Sequence, residues 1–367
     1  MFGRNGAQAT FTVEELDREL LVRGARIPDG ERFLFPDSEG TPQRDEMMKQ
    51  VEAVYDVAEG LETNEALAGF SDAELIRKLV SMTFEQKNPR GIWGSDERMD
   101  VWRILDRGVG ETIDSVVSIW EASHLFEREA RGFKLDVKNY GDAYNLNINE
   151  PFRDQPVSRG RLCTGFLVAE DVVATAGHCV NCHNVADLRV VFGYRMLEAR
   201  NPITRIPASD VYRCTDIVSR ECRRDGRRTD WALVRLDRKV DGWPVARLAK
   251  REVFRGRRIY VAGHPCGLPL KYAPGARIHQ VHDAYFVADL DVYSGNSGSP
   301  VFDCESGGVV GLVARGDFRD FRWTGQGLLS VRYPNMGLFS EGAHCTKVSE
   351  FGSMVAELKR KAYGNVQ

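Results

Sequence analysis

A serine flanked by glycines is the first candidate for chemistry in this sequence. Within the stretch Asp291–Phe302, Ser297 lies between Gly295 and Gly298 and is followed by a strand-like Pro-Val-Phe. A serine hydroxyl becomes a useful nucleophile only when it is held in place and a base removes its proton. Glycines allow turns in which the amides of Gly295 and Ser297 point at one spot, as an oxyanion site requires. Taken alone, the stretch also fits an ordinary Gly/Ser/Asn turn.

Two other stretches could supply the base and the group that orients it. His178 follows an apolar run, and Asp230 opens the alternating apolar stretch Trp231–Leu236, which is typical of a half-buried strand. The chain order His, Asp, Ser is the one that chymotrypsin-type enzymes use, whereas subtilisins and α/β-hydrolases order the three residues differently. A hydrolase elbow G-x-S-x-G is excluded because Ser299 stands two positions after Ser297. A lone histidine or aspartate is more often structural, but the three together favour nucleophilic catalysis.

The local motifs resemble those of the trypsin-like serine peptidases, in particular a bacterial branch of that family. The motifs are Thr-Ala-Gly-His-Cys at 175–179, Asp-Trp-Ala-Leu at 230–233 and Gly-Asn-Ser-Gly-Ser-Pro at 295–300. Cys163 and Cys179 are sixteen positions apart, which is the spacing of the family's disulfide around the catalytic histidine. The resemblance begins at Gly91 and covers roughly three quarters of the chain.

The resemblance implies a role for each motif residue. Ser297 would attack the peptide carbonyl, and His178 would take the serine proton and return it to the departing amine. Asp230 would fix the tautomer of His178, while the amides of Gly295 and Ser297 would hold the oxyanion. The catalytic residues expected are therefore His178, Asp230 and Ser297.

Residues expected to bind substrate follow from the same resemblance. Asp291 lies six positions before Ser297, where trypsins place the carboxylate that pairs with a substrate Lys or Arg. The alternative left open is that Asp289 and Asp291 are structural caps. Ala314, Arg315 and Gly316 match the strand that pairs with the substrate backbone by β-augmentation.

The first ninety residues differ in composition from the rest of the chain. The 367 residues suit two domains, and 43% hydrophobic with 28% charged residues describes a soluble globular protein. Residues 1–90 contain 11 Lys and Arg against 18 Asp and Glu, a net of −7, although the whole chain carries only −3. Capping patterns such as Thr12 with Glu15 and Ser71 with Glu74 predict short amphipathic helices. We expect an acidic α-helical regulatory or partner-binding module over 1–90 and a protease domain over 91–367.

Many short strands separated by turns predict a mainly β protease domain. By resemblance, the fold is a trypsin-like double six-stranded β-barrel closed by a C-terminal helix over Ser349–Ala362. The predicted strands are Val101–Leu105, Thr112–Trp120, Leu162–Leu167, Val172–Ala176, Leu188–Gly193, Trp231–Leu236, Arg258–Ala262, Tyr285–Leu290, Val301–Phe302, Val309–Ala314 and Gly327–Arg332.

We expect neither a metal nor a cofactor. The run Cys179-Val-Asn-Cys182-His183 matches a c-type haem attachment motif, but a haem or zinc ion there would cover His178. Arginines over 220–228 and the run Lys359–Lys361 read as a solvated loop and a helix C-terminus rather than as an RNA site. No signal peptide or membrane segment is seen at the N-terminus, so the prediction is a cytoplasmic protein, exported only if a signal was removed.

The sequence therefore predicts a serine endopeptidase that acts on protein or peptide substrates. If Asp291 lies in the primary pocket, cleavage follows Arg or Lys. Asn296 stands where animal trypsins have the aspartate that pairs with a new N-terminal amine, so control through residues 1–90 is favoured, as in a regulated protease of a signalling or defence pathway. The alternative is a binding or scaffold protein with a dormant protease fold.

Overall fold

The computed structural model describes residues 92–128, 132–223, 229–315, 320–324, 326–333 and 342–363. The predictions made for residues 1–91, for Gly316 and for the arginines at 224, 227 and 228 concern positions outside these ranges. They stay predictions.

Six strands form the first barrel, and each is rich in buried apolar residues. They are β1 (Val116–Glu121), β2 (Leu162–Ala169), β3 (Val172–Thr175), β4 (Leu188–Val191), β5 (Val211–Cys222) and β6 (Asp230–Leu236). Their order is β4-β5-β6-β3-β2-β1, and β1 pairs again with β4, so the sheet has no free edge. Val117, Phe166, Val173 and Leu233 are fully buried in its core.

A second closed sheet of six strands follows. Its strands are β7 (Arg258–Gly263), β8 (Lys271–Val281), β9 (Tyr285–Ala288), β10 (Pro300–Asp303), β11 (Val309–Arg315) and β12 (Ala343–Lys347). The order is β7-β10-β11-β12-β9-β8, closed by pairing of β8 with β7. Ile259, Phe286 and Val301 are fully buried inside this barrel. The expectation of a mainly β, trypsin-like double barrel is confirmed.

Helices are few and short in the described residues, and three of them are α-helices. These are α1 (Arg107–Ile113), α2 (Tyr140–Ala143) and α3 (Gly352–Tyr363). Phe351 and Val355 pack against the core of the first barrel, and the ring of Phe351 lies 5.8 Å from that of Trp231. Helix α3 therefore joins the chain's C-terminal part to the first barrel, as the expected C-terminal helix. None of the described helices has the length and apolar character needed to cross a membrane.

The remaining elements are short pieces around the barrels. Strands outside the barrels are Ile92–Trp93, Met99–Asp100, Leu125–Arg128, Gly132–Leu135, Val137–Asn139, Pro156–Ser158, Met196–Glu198, Asn201–Pro202, Arg205–Pro207, Phe321–Trp323, Leu328–Ser330 and Arg332–Tyr333. The 3₁₀ turns are Val101–Arg103, Ala122–His124, Gly177–Cys179, Val185–Asp187, Ala208–Asp210, Pro265–Gly267 and Val348–Glu350.

One predicted strand is wrong and another begins too early. Val101–Leu105 contains the 3₁₀ turn Val101–Arg103 instead of a strand, with Trp102 exposed. The predicted strand Thr112–Trp120 starts only at Val116, because Asp106 caps α1 by accepting hydrogen bonds from two amides of its first turn. The apolar residues there face the core from helical turns rather than from an extended chain.

Candidate active site

His178 and Asp230 are brought together by the pairing of β3 with β6. Thr175 at the end of β3 pairs with Ala232, so the turn Gly177–Cys179 lies beside the start of β6. Asp230 is 1% exposed, and its Oδ2 lies 2.8 Å from His178 Nδ1. Its Oδ1 accepts a hydrogen bond from the His178 amide at 2.9 Å. A carboxylate only accepts, so this contact places a proton on Nδ1 and leaves Nε2 as the acceptor nitrogen of a neutral ring.

The turn that carries Ser297 depends on its two glycines. Gly295 and Gly298 have φ angles of +92° and +86°. A Cβ on Gly295 would lie 2.4 Å from the carbonyl oxygen of His264, and one on Gly298 would lie 2.2 Å from that of Thr164. Any side chain at these positions would be both strained and in collision, so glycine is required on each side of Ser297.

Two amides of this turn have no acceptor among the residues that the structure describes. The amide of Asn296 donates to Tyr293 O at 3.0 Å, and that of Gly298 donates to Val313 O at 2.7 Å. By contrast, neither the Gly295 amide nor the Ser297 amide donates to any group in the described part of the chain. Buried backbone donors are almost always paired, so these two amides are available to an oxyanion.

Thr164 on β2 supports the same turn and was not found by the sequence analysis. Its Oγ1 donates to Gly295 O at 2.7 Å and accepts from the His264 amide at 3.1 Å. Its own amide donates to Ser297 O at 2.9 Å. This fully buried threonine thus ties the first barrel to the turn on both sides of Asn296. The sequence singles out only its neighbour Cys163, through the spacing from Cys179, and nothing marks Thr164 itself.

His178 and Ser297 line one cavity of about 390 Å³ between the barrels. Its wall also includes Cys163, Cys266 and Gly295, and Arg161 is the strong cation among its lining residues. Within the described residues, no hydrogen bond joins Ser297 to the His178 ring. Such bonds are often long before substrate binds, so the shared cavity is the relevant geometric fact.

Asp291 makes contacts that favour the structural-cap alternative. Its Oδ1 accepts from the Trp93 amide at 2.8 Å and its Oδ2 from the Glu97 amide at 3.1 Å. The side chain is buried and does not line the cavity. Burial raises its pKa to about 7, against the opposing effect of the two amides. Both oxygens are used to hold the segment 93–97, which leaves Asp291 poorly placed to meet a substrate cation.

The residues expected to pair with a substrate backbone lie at the end of β11. Ala314 is 1% exposed, and the backbone of Arg315 pairs with His344 on β12. Gly316 lies outside the described residues. The structure therefore places two of the three at the end of a barrel strand, and their contact with substrate stays a prediction.

Five of the eight cysteines are either joined in a disulfide or buried as thiols. Cys163 and Cys179 form a disulfide, which is the pairing implied by the resemblance. The thiols of Cys214, Cys266 and Cys345 are buried, and burial raises the pKa of each. In the part of the chain that the structure describes, no three His, Cys, Asp or Glu side chains converge as metal ligands would.

Part of the chain is similar to a known peptidase family, and the fold is similar to several solved structures. Residues 163–312 match the family described as trypsin-like peptidase domain. No curated protein sequence matches the chain. Among solved structures, a Glu endopeptidase in complex with MPD is 15% identical to this chain, with a TM-score of 0.44. The match covers 73% of this chain and 99% of the endopeptidase. The Rv3671c protease from M. tuberculosis in its active form is 18% identical, with a TM-score of 0.41. That match covers 74% of this chain and 90% of the protease. An inactivated protease paralogue of the scabies mite is 15% identical, with a TM-score of 0.42. That match covers 73% of this chain and 99% of the paralogue.

Proposed function

Because the chain carries a trypsin-like peptidase domain, we propose that it is a serine endopeptidase with Ser297 as its nucleophile. The observation that carries the proposal is the cavity shared by His178 and Ser297, with the ring of the histidine held by Asp230. A dormant scaffold would have no need of a buried carboxylate on the histidine and two unused amides beside the serine.

The proposed acylation step uses each of these groups once. Ser297 Oγ attacks the peptide carbonyl carbon while its proton moves to His178 Nε2, which the Asp230 contact keeps as the acceptor nitrogen. The carbonyl oxygen becomes an oxyanion that accepts from the Gly295 and Ser297 amides. Collapse breaks the C–N bond, and the proton on Nε2 leaves with the amine.

Deacylation repeats the sequence with water as the nucleophile. His178 Nε2 takes one water proton, the hydroxide adds to the acyl carbon, and the released Ser297 oxygen recovers its proton from Nε2. The net reaction is hydrolysis of one peptide bond, and the side chains return to their initial state. No metal or cofactor is part of this scheme.

The proposed substrate is an extended segment of a protein or peptide. Such a segment would run along Ala314 and Arg315 at the end of β11 and then along Gly316, the next residue in the sequence, because a strand end offers backbone donors and acceptors to an added strand. A preference for Arg or Lys before the scissile bond needs a carboxylate with an oxygen to spare. Since both oxygens of Asp291 hold backbone amides, that preference would have to depend on another residue.

Regulation through residues 1–90 is part of the proposal. Asn296 is 2% exposed, and its side-chain oxygen accepts from Ser299 Oγ at 3.2 Å. A neutral amide cannot form an ion pair with a newly cut N-terminal amine, so activation by that route is not available. An acidic module that binds a partner, within a cytoplasmic signalling or defence pathway, is the control we favour.

Labelling with a fluorophosphonate tests the nucleophile directly. The full chain should react at Ser297, as mapped by mass spectrometry, and should cleave denatured casein or a peptide library. Ser297→Ala should lose both properties, with turnover falling by about 10⁶-fold for an intact fold. Ser294→Ala is the matched control, since Ser294 lines the same cavity but should leave labelling intact. Turnover that survives Ser297→Ala would rule out the proposed mechanism.

A further inference from the structure

A second cavity, of about 540 Å³, shares no lining residue with the cavity that holds Ser297. Its walls are the stretch 247–253, the end of β12 and one face of α3. Backbone hydrogen bonds hold the first of these walls against β11. The Ala249 amide donates to Val309 O, and the Val309 amide donates to Arg247 O, both at 2.8 Å. The cavity is therefore built from parts of the fold that are fixed in place.

Positive side chains outnumber negative ones around this cavity. The two carboxylates that line it are Glu252 and Asp283, and the five cations are Arg247, Lys250, Arg251, Lys347 and Lys359. Among the residues that the structure describes, none of these five cations has a carboxylate partner. Arg257, further along the same connecting stretch, differs because its Nε donates to Asp303 Oδ1 at 2.8 Å. Several unpaired cations on one concave surface produce a positive potential that attracts anions.

Lys347 and Lys359 contribute most to this potential. Both residues are half-buried, whereas the other three cations are exposed and their charges are screened by water and salt. Burial lowers the pKa of Lys359 from its ordinary value. Removing an ammonium group from water is unfavourable unless an opposite charge or a hydrogen-bond acceptor replaces the water. An anion bound in the cavity would supply both.

The lining between the charged residues is apolar. Val310 and Val355 are 3% and 1% exposed, and Leu248, Val253 and Val348 are partly buried beside them. Cavities of this size that combine apolar walls with a few polar groups are typical of small-molecule sites. Inorganic phosphate alone would leave the apolar walls uncovered. The ligand that fits therefore has an anionic group and an apolar body.

We infer that this cavity binds a small molecule in which a phosphate group is attached to an apolar body. A phosphate monoester carries a charge of about −1.5 to −2 at neutral pH and has three acceptor oxygens, so several cations can bind it at once. A carboxylate carries a single charge and needs fewer partners. Lys347 and Lys359 would donate to the phosphate, and the apolar body would pack against Val310 and Val355.

Calorimetry on the full chain with three probes tests the inference. The probes are 1-naphthyl phosphate, 1-naphthol and inorganic phosphate, so that the last two each carry only one half of the first. We expect 1-naphthyl phosphate to bind about tenfold more tightly than either, or better still. The double variant Lys347→Gln with Lys359→Gln should weaken its binding by about tenfold or more, since hydrogen bonds to charged groups have effects of that size. Arg255→Gln is the matched control, because Arg255 is exposed but does not line the cavity.

Ala356→Glu gives a second test that keeps both lysines. Ala356 is exposed and lines the cavity, so the new carboxylate should pair with the lysines and remove the binding of 1-naphthyl phosphate. Thermal melts check that each variant folds. The inference is overturned if inorganic phosphate or 1-naphthol binds as tightly as 1-naphthyl phosphate, or if Arg255→Gln weakens binding as much as the double variant. It is also overturned if the protein sediments with vesicles of phosphatidylcholine and phosphatidic acid but does not bind 1-naphthyl phosphate.

Discussion

Asp230 contacts His178 through both of its oxygens, one at the ring and one at the backbone. Oδ2 lies 2.8 Å from Nδ1, and Oδ1 accepts from the histidine amide at 2.9 Å. The amide contact fixes the turn, while the ring contact fixes the tautomer. A substitution can separate these two functions. An amide side chain at position 230 can keep the contact with the His178 backbone amide, but it reverses the direction of the hydrogen bond with the ring.

Asp230→Asn should therefore leave the fold intact and lower kcat/KM on a peptide substrate by roughly 10⁴-fold. The asparagine oxygen can still accept from the His178 amide, but its NH₂ group turns Nδ1 into an acceptor and puts the proton on Nε2, where it blocks the base. The checks are steady-state kinetics and a thermal melt. Asp216→Asn on β5 is the control, since Asp216 is exposed and should not change either quantity. Near-normal turnover by Asp230→Asn would contradict the role given to Asp230.

The sequence predicted this pair because its signal is local. The histidine turn and the Asp230 strand each carry a recognisable motif, and the fold that brings them together follows from the family resemblance. The residues that support the site have no such signal. Thr164 donates to Gly295, 131 positions away, and Asp320 accepts from the Ser294 amide, 26 positions away. Nothing in their own neighbourhoods marks them.

Three barrel strands, β5, β8 and β12, were not predicted from the sequence, and local physical reasons account for the first two. β5 carries Arg213, Asp216 and Arg220 among its apolar residues, and β8 contains Pro274 and Gly275, which usually argue against a strand. Gly275 has a φ of +86°, and the pairing of β7 with β8 shifts register between Ile259 and Val261. Such an irregularity at a barrel corner reads as a turn when only the sequence is considered.

Thr164→Val should lower turnover without removing any group of the proposed chemistry. The change deletes the donor to Gly295 O and the acceptor for the His264 amide, so the amide of Gly295 is no longer held in place. We expect kcat to fall by about 10- to 100-fold with KM nearly unchanged, because small misplacements have effects of that size. The unfolding free energy should drop by about 2 kcal/mol for the unsatisfied buried groups. Thr215→Val, at an exposed threonine of β5, is the matched control. If Thr164→Val lowers the unfolding free energy by this amount but leaves kcat unchanged, Thr164 is a purely structural residue.

Removing the disulfide should destabilise the histidine turn. Cys163 lines the cavity and Cys179 directly follows His178, so the bridge fixes both sides of the site. A closed loop of this length should contribute about 3 kcal/mol through the entropy of the unfolded chain. The double change Cys163→Ala with Cys179→Ala should lower the melting temperature and the turnover together. Cys304→Ala, at an exposed thiol, should change neither. If the double variant keeps full activity and an unchanged melting temperature, this prediction is contradicted.

Asp291 should make the stability of the protein depend on pH. Its pKa is raised to about 7 in the folded chain from an ordinary value of 3.8, chiefly by burial. The folded state therefore binds the proton more tightly than the unfolded state, and stability is highest at low pH. As pH rises from about 4 to about 7, the unfolded chain loses this proton first. The contribution of Asp291 to the free energy of unfolding therefore falls by up to roughly 4 kcal/mol, since each pKa unit corresponds to about 1.4 kcal/mol.

The variant Asp291→Asn stays neutral at every pH, so its stability lacks this dependence on the Asp291 proton. Urea unfolding at pH 4.5 and pH 7.5 should show that the stability difference, wild type minus Asp291→Asn, shrinks at the higher pH. Asp216→Asn, at an exposed carboxylate, should show no such change, and a constant difference for Asp291→Asn would mean that the two amides hold the pKa of Asp291 near its ordinary value.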